Sequence, residues 1–262
     1  AERNNFYLSF AVAQKEPTRS DFTDRYKFAA DDTYPSSEKL YDWELGYQYT
    51  APRLSLGVNL YYMKYKDQLV PTGMVNDDSN ALNTNVPDSY RRGVELSASW
   101  RATGWFTVGA NATFSQNRIE NYVDALKDSP TYGKELGDMT IAYSPDVIAN
   151  AFLNFHHRGF EAVFHTQHVG KQYFTNNEND ALSLDAYCVT NLNLAYTFRT
   201  RSARSVRLGL LINNLFNAEY ESNGYGYSYM NTWSGPAPVR IDEAYYFPQA
   251  PLNVLANVTV KF

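Results

Sequence analysis

Four histidines, one cysteine, a scatter of loop carboxylates and one tyrosine-rich stretch are the residues of this chain with the means to do chemistry. His156 and His157 are adjacent in a short polar stretch that reads as a turn, so their side chains diverge and do not chelate one ion. His165 and His168 are three apart, a spacing that points them to opposite faces of a strand, and a metal there needs further ligands from elsewhere. Cys188 has no internal partner for a disulfide and reads as a small apolar strand residue. Asp21, Asp24, Asp31, Asp32, Asp77, Asp78, Asp124, Asp128, Glu135 and Asp138 make the loops acidic. Calcium bridging is one reading of them, but no run has EF-hand spacing, and solvated loop surface is the plainer one. No metal site, cofactor or catalytic residue is expected. The richest candidate is the stretch 223–233, NGYGYSYMNTW, with the pair Tyr245 and Tyr246 beyond it. Tyr225, Tyr227, Tyr229, Trp233, Tyr245 and Tyr246 offer flat rings on a glycine-loosened backbone, suited to stacking on a planar or sugar-like small molecule. The competing reading is that the same rings pack the loop against its neighbours or form an interfacial girdle.

What positions that stretch is legible at the end of the chain. Leu252, Val254, Ala256, Val258, Val260 and Phe262 alternate with Asn253, Asn257, Thr259 and Lys261, broken only by Leu255. A period of two sends successive side chains to opposite faces, one oily and one wet. Eleven such residues suit a tilted strand crossing a bilayer, which takes about 9–11. Composition agrees: aromatics make up 16% of the 262 residues, and 22 are tyrosine, more than a soluble core needs but natural for a membrane barrel with rings at both interfaces. No run of 18 apolar residues is present, so no helix is expected to cross a membrane. A net charge of -5 argues against nucleic acid as a partner. The opening residues lack the basic and apolar regions of a signal peptide, although an exported protein requires one, so further sequence upstream is expected.

The same alternation recurs along the chain and predicts ten strands, at 5–14, 40–50, 54–67, 90–100, 105–118, 145–155, 160–170, 187–198, 206–216 and 252–262. Four tight turns alternate with five long segments. Short turns on one side and long loops on the other are the layout of an outer-membrane barrel, with periplasmic turns and extracellular loops. On that layout Tyr49, Trp100, Trp105, Phe155, Phe160, Phe198 and Phe262 fall near the periplasmic boundary, where an aromatic girdle belongs. Arg53, Arg101, Arg158, Arg199, Arg201 and Arg204 gather at the same turns, beside lipid headgroups. The fold expected is all-β, an antiparallel transmembrane β-barrel. A soluble sandwich predicts no side preference among its loops, and a soluble closed barrel predicts an apolar inside rather than an apolar outside.

Three motifs carry a resemblance. Leu211-Ile212-Asn213-Asn214-Leu215-Phe216-Asn217, with Tyr220 following, resembles the penultimate-strand "NNLF" signature of TonB-dependent outer-membrane receptors. The stretch 37–47 resembles that family's "PE…YELGY" strand and 87–96 its "G[VI]E" strand, and the ending 251–262 fits as well. The resemblance implies that residues 1–262 are the ten C-terminal strands of a 22-stranded barrel holding a plug, with plug, TonB-binding segment and first strands upstream. It further implies import of a scarce ligand (a siderophore, a cobalamin-like molecule or a metal complex) by energy-coupled gating. Implied partners are TonB, the barrel-assembly machinery that reads the terminal Phe262, outer-membrane lipid and lipopolysaccharide, and the small-molecule ligand. Where haem receptors of the family carry a "FRAP" box this chain reads Lys15-Glu16-Pro17-Thr18-Arg19, a departure from a haem assignment. Two other classes compete: a complete ten-stranded barrel of the outer-membrane protease type, for which His168 is the histidine nearest the extracellular rim, and a passive pore.

Overall fold

The computed structural model describes residues 3–23, 34–76, 80–233 and 235–262. The acidic residues Asp24, Asp31, Asp32, Asp77 and Asp78 lie outside them. Among the described residues are fifteen strands: β1 Asn4–Lys15, β2 Glu38–Ala51, β3 Leu54–Val75, β4 Ala81–Arg101, β5 Phe106–Ile119, β6 Met139–Thr140, β7 Val147–His157, β8 Phe160–Val169, β9 Gln172–Tyr173, β10 Ser183–Leu184, β11 Tyr187–Phe198, β12 Ser205–Asn213, β13 Glu221–Asn231, β14 Val239–Pro248 and β15 Asn253–Lys261. Ten of them, in the order β1-β2-β3-β4-β5-β7-β8-β11-β12-β15, form one antiparallel wall, and these are the ten strands expected from the alternation.

The period of two becomes two chemically different faces because register carries each row across the whole sheet. Leu54, Trp100, Val108, Leu153, Phe164, Leu192, Ile212 and Val254 stand opposite one another along a single row from β3 to β15. On the other face Gln48, Gly57, Ser97, Asn111, Asn150 and Gln167 form a row from β2 to β8. The apolar face is open to its surroundings: Leu60 is 44% exposed and Val258 65%. Leaving one such side chain in water forgoes about 1.5–3 kcal/mol, so a face built of them is stable only against an apolar medium. The buried apolar clusters lie elsewhere, at the long-loop end of the wall. Val70, Val86, Ile119, Tyr122 and Ile141 form one cluster, and Phe174, Leu182 and Leu184 a second.

Glycines on the polar face accommodate rings from neighbouring strands. The Tyr7 ring lies over Gly46, Tyr61 over Gly93 and Phe152 over Gly109, each occupying the place a Cβ would take. At the short-turn end Trp105, Phe106 and Phe155 stack, with Phe106 and Phe155 centroids 4.5 Å apart. Phe262 there is 92% exposed.

The structure differs from the sequence reading at the long-loop end, which is more ordered than alternation predicts. Residues 67–75 and 81–89 are no loop but the continuation of the β3–β4 hairpin, paired as far as Val75 opposite Ala81. Asp67 at φ 54 and Pro87, which has no N–H, mark an unbonded step in the ladder. Pairing resumes beyond it because Val70 and Val86 bury against Ile119, Tyr122 and Ile141. Likewise 217–247 contains the β13–β14 hairpin, a separate two-stranded sheet. His156 and His157 end β7 rather than forming a turn. The turn is Arg158-Gly159, both at positive φ.

Candidate functional site

Alternating Tyr and Gly in β13 sort to opposite faces once the stretch is a strand, and that decides the site. Tyr225, Tyr227 and Tyr229 share a face with Glu243, Tyr245 and Phe247 of β14, while Gly224, Gly226 and Ser228 share the other with Tyr246 and Asp242. The glycines are not hinges. A Cβ on Gly224 would sit 2.6 Å from the Phe174 ring, and one on Gly226 2.9 Å from Leu182, so the glycine face lets the hairpin seat directly on the buried loop cluster. Tyr246 belongs to this underside, its ring 5.8 Å from Phe174. Trp233 stands between the two strands, 86% exposed.

The upper face is an aromatic platform locked by one carboxylate. Tyr225 and Tyr245 stack at 4.9 Å and 13°, with Tyr227 a further 6.4 Å from Tyr245. Glu243 accepts hydrogen bonds from the hydroxyls of Tyr227 at 2.6 Å, Tyr245 at 3.0 Å and Tyr229 at 3.1 Å. These three donors hold Glu243 below the usual carboxylate range, Tyr227 foremost, and the charged acceptor in turn raises Tyr227 and Tyr229. The hydroxyls are thereby spent on Glu243, and the ring faces are what remains for a ligand.

Beside the platform a cleft of about 290 Å³ opens between β13 and the far end of β3, lined by Met74, Val75, Leu126, Lys127, Asp128, Tyr227, Ser228, Tyr229 and Met230. Of the residues singled out from sequence, Tyr227 and Tyr229 line it, Tyr225 and Tyr245 extend the platform behind, and Tyr246 and Trp233 stand apart. Met74, Leu126, Lys127, Met230 and Glu243 were not legible as site residues, since their segments meet only through the loop packing. Asn176 makes much of that packing. It is fully buried, accepts from Ala142 N at 2.7 Å and donates to the Pro71 carbonyl at 2.6 Å, joining three segments.

The other candidates find structural partners. Asp124 accepts from Leu126 N, Ser129 and Thr131, and Asp138 accepts from Asn121 N. Among the described residues no group of three His, Cys, Asp or Glu side chains is placed to hold a metal. His165 faces the polar side opposite Phe152 and Asn191, whereas His168 stands on the apolar face between Ala149 and Cys188. Cys188 is exposed on the same face.

The "NNLF" stretch of the sequence is a turn with close contacts. Asn214 and Asn217 both adopt φ 51, a left-handed conformation asparagine tolerates. Buried Asn214 accepts from Ala218 N at 2.8 Å and donates to the carbonyls of Ala218 and Ala250, while Asn217 accepts from Leu252 N at 2.8 Å. The "NNLF" turn therefore fastens the chain leaving β12 to the start of β15. Tyr220 stacks on Tyr187 at 4.6 Å.

Comparison with known proteins agrees with this architecture. Residues 2–215 match the family model described as TonB dependent receptor-like, beta-barrel. The chain is 23% identical over 206 residues to the pesticin receptors of Yersinia enterocolitica and Yersinia pestis, a match covering 78% of this chain and 28% of theirs. Among solved structures, the ferric yersiniabactin uptake receptor FyuA from Yersinia pestis superposes with TM-score 0.67 at 19% identity, over 100% of this chain and 35% of that one. The copper transporter OprC superposes with TM-score 0.70 at 18% identity, over 99% and 37%. These structural likenesses show the fold, and the chain spans about 28% of the length of the curated relatives it matches. With the family model covering most of its length and its wall showing the barrel's two faces, the chain belongs to the TonB-dependent receptor family of outer-membrane β-barrels.

Proposed function

We propose that this chain is the C-terminal part of the barrel of an outer-membrane receptor that imports a metal complex or siderophore-like small molecule, with transport energised through TonB. The observation that carries the reading is the cleft between β13 and the end of β3. It presents the Tyr227 and Tyr229 rings, the soft side chains of Met74 and Met230, and the single cation Lys127 against Asp128. Such a lining suits a flat, partly aromatic ligand. The names of the similar proteins, which include receptors for ferric yersiniabactin and a copper transporter, support the same class. On this reading the polar face of the wall, with Tyr7, Gln48, Asn59, Glu95, Asn111 and Thr113 around a groove of about 350 Å³, looks into the lumen toward a plug.

The test is accumulation of labelled ferric siderophores, cobalamin and copper complexes by cells that express the full-length receptor, with and without TonB. One ligand class is expected to accumulate only when TonB is present, and Tyr229→Ala to lower its uptake about tenfold. Uptake independent of TonB, or swelling of receptor-loaded liposomes in small sugars, would instead mark a passive pore.

A further inference from the structure

The β13–β14 hairpin carries a reactive pair that the cleft does not use. Asn223–Gly224 is the one Asn-Gly step in the chain. The carboxamide of an asparagine is within reach of the main-chain nitrogen of the next residue, which can close a five-membered ring on Cγ. At most positions the next side chain crowds that nitrogen, whereas glycine, with no Cβ, leaves it open. Packing demands glycine here, because a Cβ on Gly224 would lie 2.6 Å from the Phe174 ring and 2.7 Å from the Tyr245 carbonyl oxygen. Seating the hairpin on the loop cluster therefore fixes an unhindered amide beside Asn223.

Local geometry brings the two reacting groups together. The register shifts just before them: Glu221 stands opposite Pro248 and Asn223 opposite Phe247, so Ser222 is an extra residue in β13. At such a bulge the ladder is locally disrupted and side chains are re-aimed. The Asn223 side chain folds forward, its Oδ1 accepting from the Gly224 N–H at 2.8 Å. Cγ is then at most one C=O bond, ~1.2 Å, farther from that nitrogen, and a χ1 rotation brings it to the roughly 3–3.5 Å from which attack proceeds. Asn223 is exposed and Gly224 buried. The carboxamide thus meets the water that the later step needs, while packing beneath holds the nitrogen still.

We propose that Asn223–Gly224 is a self-modification site, at which the folded receptor converts Asn223 to aspartate and isoaspartate. Solvent base takes the Gly224 amide proton, the nitrogen bonds to Cγ, and the C–N bond of the carboxamide breaks, releasing ammonia and leaving a succinimide. Water then adds to either ring carbonyl. Opening at Cγ gives aspartate, and opening at the main-chain carbonyl gives isoaspartate, whose backbone runs through Cβ and Cγ. One water enters, one ammonia leaves, and nothing is oxidised or reduced. Asn223 shares its face with Tyr225 and Phe247, whose rings lie 6.1 Å apart. The product carboxylate therefore stands at the edge of the aromatic platform, beside ring faces of negative potential. The isoaspartate form also adds a methylene to β13 where its register is already irregular.

The experiment incubates the full-length receptor, folded in mild detergent, in heavy-oxygen water at mildly alkaline pH, beside the same receptor unfolded in guanidinium chloride. Mass spectrometry follows the peptide containing Asn223, isoaspartyl methyltransferase labelling reports isoaspartate, and heat-modifiable gel migration reports the folded barrel. The folded receptor is expected to convert Asn223 at least as fast as the unfolded one and to give both acids, each with a heavy oxygen. It should also convert Asn223 roughly tenfold faster than Asn217, whose Oδ1 is taken by Leu252 N and whose attacking nitrogen belongs to Ala218. Asn223→Gln, which requires a larger ring and leaves Gly224 in place, should lose both products. Slower conversion in the folded than in the unfolded receptor would show that the strand protects the step. Aspartate without isoaspartate would show direct hydrolysis without ring closure, and equal rates at Asn223 and Asn217 would show no gain from the geometry. Any of these overturns the proposal. No uptake measurement enters, so its failure leaves the transport reading untouched.

Discussion

The Tyr227 hydroxyl donates to the Glu243 carboxylate at 2.6 Å, across the two strands of a hairpin that touches no wall strand by backbone pairing. Tyr229 and Tyr245 share that acceptor, so one charged group holds three hydroxyls on one face of the hairpin. The folded-state pKa of Glu243 is lowered by these bonds, so its contribution is present above the unfolded value near 4.5 and is lost as pH falls through the lower folded value. The protection factors of the β13–β14 amides, taken relative to intrinsic exchange at each pH, should fall as the solution is taken below pH 4.5. Glu243→Gln should show the lower protection already at pH 7 and lose that further fall. Unchanged exchange in the variant would mean that the rings are held by stacking alone.

Asn176 sits where the β3–β4 hairpin, the segment before β7 and the segment before β10 converge. Asn176→Ala leaves the Ala142 N–H and the Pro71 carbonyl without partners in a buried place, a destabilisation of roughly 2–5 kcal/mol. The loss should fall on local opening of the cap and not on the wall, whose ladder Asn176 does not join. Limited proteolysis should cut the variant within 120–144 and 171–184 while the wall strands stay protected. Cleavage spread evenly over the chain would show instead that cap and wall unfold together.

The contrast between these residues and the wall explains what was legible beforehand. A wall strand announces itself locally, since Leu54, Leu56, Val58, Leu60 and Tyr62 alternate with Ser55, Gly57, Asn59 and Tyr61 and any two neighbours suffice to show the period. The loop cap depends on contacts between distant segments. Val70 reads as an apolar residue between turn formers, and only Ile119 and Ile141, far along the chain, make its strand continue. The tyrosines of β13 stood out by composition, but which face each takes required knowing that the stretch is a strand. Glu243 was one acid among 28 until three hydroxyls converged on it.

Tyr122 is buried beside Asp124, and burial first, with the nearby carboxylate second, pushes its phenol up to about 12. A raised folded value means that stability is fully present below the unfolded value near 10 and is lost as pH climbs toward 12. About 2–3 kcal/mol is at stake for a shift of that size. Alkaline titration followed by the tyrosinate absorbance band should show, beside the late ionisation of Tyr227 and Tyr229, a late phase coinciding with exposure of the loop cluster. Tyr122→Phe should remove that phase and keep the cap closed at high pH. A titration with no such phase in the native protein would place Tyr122 in contact with solvent.

Two glycines on the polar face separate soft from hard contacts. A Cβ on Gly46 meets only the Tyr7 ring, which swings away on its own χ angles, whereas one on Gly93 lies 2.5 Å from the Phe114 carbonyl oxygen, part of the β4–β5 ladder. Gly93→Ala should therefore cost roughly 1–3 kcal/mol, as overpacked sites do, and Gly46→Ala well under that. Urea unfolding midpoints of the two variants check the order, and equal midpoints would show that the ladder yields as readily as the ring.

Asn214 combines a left-handed backbone with three side-chain bonds, and two substitutions separate those contributions. Asn214→Gly keeps the φ of 51 without strain but abandons the bonds to Ala218 and Ala250. Asn214→Ala loses the same bonds and in addition forces a Cβ into the left-handed region, a further cost of about 1–2 kcal/mol. Both should lower the unfolding midpoint, with the alanine variant below the glycine variant by that difference. If the two unfold together, the turn relaxes to an ordinary conformation once its bonds are gone, and the asparagine acts through hydrogen bonding alone. If instead the glycine variant matches the native protein, the backbone conformation is the whole of the motif's contribution.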